Sequence, residues 1–353
     1  MNICFVLPKF ARQPIGGYKM IFEYSNRLVD GGHKAVLMFL NDDALKQFYF
    51  PNFFKKIAAN YLTIKEPRWF DLNPEIVKIS NLDKNIKKYL KNIDICFATG
   101  IETVAPLKEF FPQSRHCYFI QGYETWRDSE AYIHKTYALG MTNIVVASWL
   151  KDLVDQYAVK PSILIKNPID LSVYRMTKLL RNRKQHTVAL LYHESENKGL
   201  KYSLAALDIL KVKYSDLEVQ MFGTPVKPKG IPEWISYTRG ASQKKTVEIY
   251  NSVEVFLCAS IEEGFGLTGL EAMACGAALV STSYKGVFEY AIDNKNALLS
   301  PIRDVSALVR NVSELFENKE KRVELVDNGL RTVQKFSWDS ALNRLEAVIM
   351  DRE

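Results

Sequence analysis

Two glutamates, Glu263 and Glu271, stand with seven residues between them in the stretch Ser260-Ile261-Glu262-Glu263-Gly264-Phe265-Gly266-Leu267-Thr268-Gly269-Leu270-Glu271-Ala272-Met273-Ala274-Cys275-Gly276. Apolar runs flank it, Val255-Phe256-Leu257-Cys258-Ala259 before and Ala277-Ala278-Leu279-Val280-Ser281-Thr282 after, and both read as buried strands. Residues 267–275 have helix-forming composition, and Gly276 suits a left-handed helix end. The unit is therefore strand, glycine-rich loop, helix, strand. Gly264 and Gly266 let a ligand approach the backbone closely, and a helix N-terminus offers free N–H groups to an anion. Phosphates would take those N–H groups while the two carboxylates accept sugar hydroxyls, which is the chemistry of a nucleotide sugar. A plainer reading stands beside it: Thr268 and Glu271 have capping-box spacing, and Glu263 is then an ordinary loop acid.

The elements that must carry these residues follow from the alternation along the chain. Residues 3–7 read as a first buried strand, followed by a loop with Gly16-Gly17, a helix over 18–30, a Gly31-Gly32 stop and a strand over 35–40. Further strands are expected at 93–98, 116–121 and 143–147, then a helix over 148–157. Ile163-Leu164-Ile165 runs into Asn167-Pro168-Ile169-Asp170 and the basic stretch 178–184, where a linker is expected. The second half repeats the pattern with strands at 187–192 and 218–222 and helices at 200–212 and 244–252. Alternating strands and helices predict an α/β fold with parallel sheets, and two such domains bind ligand beyond the carboxyl ends of their strands.

Composition agrees. The chain has 353 residues, 47% apolar and 25% charged, enough for two domains with full cores. Cys4, Cys96, Cys117, Cys258 and Cys275 are odd in number, lie in apolar runs and form no Cys-x-x-Cys pair, which predicts a reducing cytoplasm. The start, Met1 to Pro8, reads as a strand rather than a signal sequence, and no apolar run approaches the roughly 20 residues that span a bilayer. The net charge of +7 is compatible with acidic ligands or an anionic membrane face.

The string from Ser260 to Gly276 resembles the signature of the retaining GT-B glycosyltransferases of family 4 (glycosyl transferases group 1). There Glu-x7-Glu is embedded in Glu-Gly-Phe-Gly and followed by Leu-Glu-Ala-Met-Ala-x-Gly. Other segments share the likeness. Gly16-Gly17 resembles the glycine loop that approaches the donor diphosphate, and Asn167-Pro168-Ile169-Asp170 resembles Asn-Gly-Val-Asp. Lys198-Gly199 resembles the Lys-Gly whose lysine neutralises the departing diphosphate. Gly223 and Gly240 resemble glycines of the donor-binding domain, and Glu289 resembles the glutamate of Gly-x-Pro-Glu, with Phe288 in place of proline. Phe336-Ser337-Trp338-Asp339 resembles the segment that crosses back to the N-terminal domain.

The resemblance implies a GT-B architecture of two Rossmann-like parallel-sheet domains facing a central cleft. Residues 1–168 would bind acceptor, residues 169–335 the nucleotide sugar, and the helix of 336–353 would pack back on the first domain. It makes Glu263 and Lys198 the catalytic pair. It places Gly16, Gly17, His193, Gly223, Gly264, Phe265, Gly266, Leu267, Thr268 and Glu271 around the donor. It further implies a cytoplasmic, metal-independent enzyme of bacterial cell-surface polysaccharide synthesis, with no cofactor beyond its nucleoside-diphosphate sugar.

Two departures bear on this. The arginine usual before Lys-Gly is absent from Leu191-Tyr192-His193-Glu194-Ser195-Glu196-Asn197, so His193 donates in its place or Lys198 acts alone. The family's histidine near the fourth N-terminal strand is replaced by Phe119-Ile120-Gln121-Gly122-Tyr123-Glu124, which leaves Gln121 or Tyr123 for polar contacts. No Asp-x-Asp occurs to hold a hard cation on a diphosphate, and His33, His116, His134, His186 and His193 show no ligand spacing.

On the acceptor side, residues 47–70 carry Phe48, Tyr49, Phe50, Phe53, Phe54, Tyr61, Trp69 and Phe70 among Lys55, Lys56, Lys65 and Arg68. Lys84, Lys87, Lys88 and Lys91 fall on one face of an expected helix. Such a stretch suits a lipid-linked acceptor or peripheral contact with an anionic inner membrane face; equally, the aromatics are core and the lysines a solvated face. No nucleic-acid motif accompanies the charge. The reading is a transferase moving sugar from a nucleoside diphosphate to a glycan or lipid-linked acceptor. The alternatives are a GT-B nucleotide-sugar epimerase or hydrolase and a non-catalytic GT-B partner subunit; a nicotinamide-dependent oxidoreductase is the weakest rival.

Overall fold

A computed structural model of the chain describes residues 1–45, 49 and 51–350. Gln47, Phe48 and Phe50 of the aromatic stretch lie outside the described residues. The chain divides into two units, Met1–Ile165 joined by the chain from Leu342 on, and Lys166–Ala341.

Among the described residues the first unit holds a seven-stranded sheet of β1 (Asn2–Leu7), β2 (Lys34–Phe39), β3 (Val77–Ser80), β4 (Ile95–Ala98), β5 (Arg115–Ile120), β6 (Thr142–Val145) and β7 (Ile163–Leu164). Its helices are α1 (Gly16–Asp30), α2 (Asn52–Lys65), α3 (Ile86–Leu90), α4 (Ile101–Phe110), α5 (Glu130–Tyr137) and α6 (Ser148–Val154). The strand order is β3-β2-β1-β4-β5-β6-β7 and every pairing is parallel. Crossovers of one hand force that doubly wound order and cover both faces with helices, so central strands read as unbroken apolar runs. Phe5 of β1 and Phe97 of β4 stack at 4.8 Å in the core.

The second unit repeats the plan with β8 (Thr187–Tyr192), β9 (Glu218–Gly223), β10 (Ile235–Arg239), β11 (Val255–Cys258), β12 (Ala278–Thr282) and β13 (Ala297–Ser300), in the order β10-β9-β8-β11-β12-β13. Helices α7 (Leu200–Lys213), α8 (Gln243–Ser252), α9 (Leu267–Ala274), α10 (Val305–Glu317) and α11 (Lys319–Val333) enclose it. Val188, Leu190, Val219, Met221, Leu257 and Val280 form the centre of its core. The last helix, α12 (Trp338–Ile349), meets the Arg115 guanidinium, which donates to the carbonyls of Val348 at 2.8 Å and Ile349 at 2.9 Å. A cation there satisfies carbonyls left over at a helix C-terminus.

Three expectations are corrected. The basic stretch 178–184 is no linker, because Arg183 is buried in the second unit. Its guanidinium donates to the carbonyls of Tyr250 (3.0 Å), Val253 (2.7 Å) and Cys275 (2.6 Å), which ties α8 and the end of α9 together. Gly16-Gly17 is not a loop but the first turn of α1, with Ile15 as its N-cap. The lysine helix is short, Ile86–Leu90, so Lys84 and Lys91 lie outside it.

Candidate functional site

Strands β8 and β11 lie side by side in the second sheet, and the chain winds away from them in opposite directions. The loops that follow them therefore part at the carboxyl edge, which is where open α/β sheets bind ligands. After β8 the chain makes a tight turn through Glu196–Lys198 to Gly199, whose φ of +62° is left-handed. A side chain at Gly199 would overlap the carbonyl of Ala259, so glycine is required by both conformation and space. The amide of Ile261 then donates to the carbonyl of Asn197 at 2.7 Å. These contacts clasp the two loops and bring Lys198 Nζ to 3.0 Å from Glu263 Oε2. Ser260 Oγ donates to Glu263 Oε1 at 2.6 Å, and the Thr282 hydroxyl donates to the Ser260 carbonyl.

The loop from Glu263 into α9 is braced from beneath. Gly266 has φ +90°, and a Cβ there would overlap the hydroxyl of Tyr284. Tyr290 OH donates to the Gly266 carbonyl at 2.7 Å, and the two tyrosine oxygens lie 2.9 Å apart. Phe265, expected around the donor, is buried between Tyr290 at 5.7 Å and Phe336 at 5.9 Å. Its side chain pins the loop, so residue 265 can meet a ligand through its backbone only. Gly286 packs against the carbonyls of Glu263 and Gly264, where a Cβ would come within 2.7 Å of each.

Helix α9 starts at Leu267 with Gly266 as N-cap and no side-chain cap hydrogen bond. That removes the capping-box reading: Thr268 is already the second helical residue, and Glu271 lies in the second turn. Glu271 is buried and accepts a hydrogen bond from Tyr250 OH at 3.3 Å. Leu267 and Thr268 are half-buried at the helix start. Gly264, Gly266 and Gly269 also keep the Gly-x-Gly-x-x-Gly spacing, which in a dinucleotide site opens the helix after a sheet's first strand. Here it follows β11, so the anion-binding helix end is present without that fingerprint's setting.

His193 leaves β8 beside this pair. The amide of Ser195 donates to its Nδ1 at 3.0 Å, which puts the ring proton of the neutral imidazole on Nε2, where it can be donated. Burial, and then the Lys198 cation, hold His193 below the ordinary histidine range. Gly223 ends β9 under the carbonyl of Tyr192, and its own carbonyl accepts from the amide of Gly240 at 2.7 Å. Glu289 is paired with Lys166 at 2.8 Å.

In the first unit, Gly17 lies against the Gln121 amide, 3.2 Å from where a Cβ would stand. Tyr123 OH is 3.0 Å from His134 Nε2. Glu124 Oε2 accepts the amide of Ile101 at the start of α4 (2.6 Å), and burial pushes its carboxyl up to about 7. Among the described residues no group of three His, Cys, Asp or Glu is gathered to hold a metal ion. Sequence reasoning passed over Ser260, Tyr250, Tyr284, Tyr290 and Glu124. Ser260 stands three residues before Glu263 and was within reach; the tyrosines meet their partners only through the fold.

Residues 176–332 match the family model for glycosyl transferases group 1. An uncharacterized glycosyltransferase, MJ1178 of Methanocaldococcus jannaschii, is 36% identical over 83 residues, 24% of each chain. The MMP alpha-(1->4)-mannosyltransferase of Mycolicibacterium hassiacum is 28% identical over 214 residues, 56% of this chain and 50% of that one. The matches thus span a quarter to a half of these relatives' own length. Anabaena HepE, solved with UDP-glucose, superposes with TM-score 0.77 at 14% identity over 99% of this chain and 100% of HepE, which shows a shared fold.

Proposed function

We propose that this chain, whose residues 176–332 match the glycosyl transferases group 1, moves a sugar from a nucleoside diphosphate to an acceptor hydroxyl. The acceptor is a glycan or a lipid-linked molecule, the anomeric configuration is retained, and a cell-surface polysaccharide is the product class. One observation carries the reading: a half-buried lysine and a glutamate, 3.0 Å apart, at the N-terminal end of a helix that no side chain caps. The helix end and the backbone of Gly264 to Gly266 take the phosphates, Lys198 neutralises charge that grows on the leaving diphosphate, and Glu263 accepts sugar hydroxyls. Glu271 accepts hydroxyls of the ribose, and His193 donates from Nε2 where the family pattern has an arginine. The acceptor attacks the face from which the diphosphate leaves, and a diphosphate oxygen takes its proton. HepE, solved with UDP-glucose, makes uridine diphosphate sugars the first donors to try.

A thermal-shift screen over nucleoside diphosphate sugars finds the donor, because a ligand that binds only the folded state raises its midpoint. Proton NMR of the product then reads the anomeric centre. Retention is expected; an inverted centre, or no stabilisation by any nucleotide, refutes the reading.

A further inference from the structure

Helix α2 is laid on its unit the wrong way round for a core helix. Its inward residues are small: Ala59 and Thr63 are buried, and the amide of Asn41 donates to Thr63 Oγ1 at 2.8 Å. Its large apolar residues face out, with Phe53 68%, Phe54 59%, Ile57 52%, Tyr61 56% and Ile64 64% exposed. Steps of four, four and three residues from Phe53 to Ile64 put them on one stripe, and Phe54 borders it. At 100° per residue, Lys65 falls on one flank of the stripe and Lys56 on the other, while Lys55 lies on the far side toward the buried Ala59; Lys65 Nζ lies 5.9 Å from the Tyr61 ring.

Charge is concentrated on the same part of the unit. Helix α2 contains three lysines and no acid. Residues 51–91 hold nine lysines and arginines against four acids, five of the chain's seven net positive charges. The stretch runs on through the edge strand β3 to α3, whose Lys87 and Lys88 are exposed, and Lys78 of β3 donates to the carbonyls of Ile64 and Glu66 at the end of α2. By contrast Trp69 and Phe70 pack on Phe22 at 5.6 and 5.5 Å, so aromatics of the stretch that belong to the core are already in it.

We infer that α2 is a docking surface for an anionic lipid bilayer. Its apolar stripe enters the boundary between headgroups and acyl chains, while the flanking Lys56 and Lys65 meet lipid phosphates. A second copy of the chain fits less well. A two-fold contact through α2 would set Lys56 and Lys65 of each copy against those of the other, and interfaces between proteins are depleted in lysine.

Co-sedimentation with vesicles tests this, using phosphatidylcholine alone and phosphatidylcholine mixed with phosphatidylglycerol. The protein should pellet with the mixed vesicles only. Binding should weaken between about 0.1 and 1 M salt, as the Debye length falls from about 10 to about 3 Å. Lys56→Ala/Lys65→Ala should weaken binding about 30-fold, and Phe53→Ser/Ile57→Ser/Ile64→Ser at least about tenfold. Both sets are on the surface, and unchanged melting midpoints check that the fold survives. Wild-type protein that pellets with neither vesicle overturns the inference, as does equal binding to both vesicles that salt and lysine loss leave unchanged. Self-association in sedimentation velocity that the stripe variant abolishes, without vesicle binding, assigns the surface to a second copy instead. No donor or acceptor enters the assay, so its outcome and that of the transfer reading are independent.

Discussion

Replacing Lys198 with alanine removes the cation of the Lys198–Glu263 pair, and the structure sets two magnitudes that differ in kind. Unit charges 3.0 Å apart attract by about 5 kcal/mol at an effective dielectric of 20. Much of this is offset by desolvation, since the side chains keep only 27% and 11% of their exposure. Glu263 would retain the Ser260 hydroxyl, so we expect Lys198→Ala to lower stability by about 1–2 kcal/mol, less than for a fully buried pair. In the proposed reaction the lysine acts where charge develops on the leaving diphosphate, and losing one preorganised donor of that kind costs about 10²–10³ in kcat. KM should change much less, because the interaction strengthens in the transition state. Urea unfolding and initial transfer rates with the sugar nucleotide found by the screen are measured on Lys198→Ala, Glu263→Ala and the double variant. In stability the double variant should lose less than the sum of the singles; in kcat it should be no better than Lys198→Ala. A kcat for Lys198→Ala within about threefold of wild type, or its recovery in the double variant, would reduce the pair to a structural tie and refute the assignment.

Glu271→Ala would also strand the Tyr250 hydroxyl, so Glu271→Gln, which keeps an acceptor, is the cleaner variant. It should weaken nucleoside diphosphate binding by about 1.5–3 kcal/mol in isothermal titration, and unchanged affinity in the folded variant removes Glu271 from the site. Burial and Lys198 keep His193 neutral at pH 7, so lowering the pH through its depressed range adds a positive charge beside the diphosphate. Affinity for the sugar nucleotide found by the screen should therefore rise as pH falls through that range, and His193→Asn should abolish the trend. Transfer should continue in excess chelator, since Lys198 and the start of α9 supply the positive charge; activity that chelator abolishes and magnesium restores contradicts this.

The signature unit was legible in the residues because every level agreed there. Unbroken apolar runs made β11 and β12, and Gly276, at φ +74°, ended the helix between them as expected. Edge strands β3 and β10 were not legible. They are short, and Ile235 is the one buried residue of β10, so neither shows a continuous apolar run. Arg183 was misjudged because a sequence shows charge but not whether buried carbonyls await it. Phe265 shows the opposite limit: its neighbours in the chain are loop residues, while its neighbours in space are Tyr290 and Phe336, so its burial was not legible in the sequence. In α2 the sequence left the aromatics open between core and surface. The structure divides them, Trp69 and Phe70 inward, Phe53, Phe54 and Tyr61 outward.

The sequence also assigned Lys198 and Glu263 separate duties, one toward phosphate and one toward sugar, with nothing to show that they touch. Their contact makes the two duties dependent. A diphosphate that draws Lys198 toward itself leaves the Glu263 carboxylate, 11% exposed, with the Ser260 hydroxyl as its donor. A half-buried carboxylate that loses a cation is costly unless other donors replace it. Hydroxyls of the transferred sugar are such donors, and a bare nucleoside diphosphate has none to offer at that position. The intact sugar nucleotide should therefore bind more tightly than the bare diphosphate, and Glu263→Gln should narrow the gap, because a neutral amide needs no replacement cation. Titration of the sugar nucleotide found by the screen, and of its bare nucleoside diphosphate, against both proteins measures the gap directly. Equal affinities for the two ligands in the wild-type protein would mean that Lys198 never leaves Glu263, and that the phosphates are held by the helix end alone.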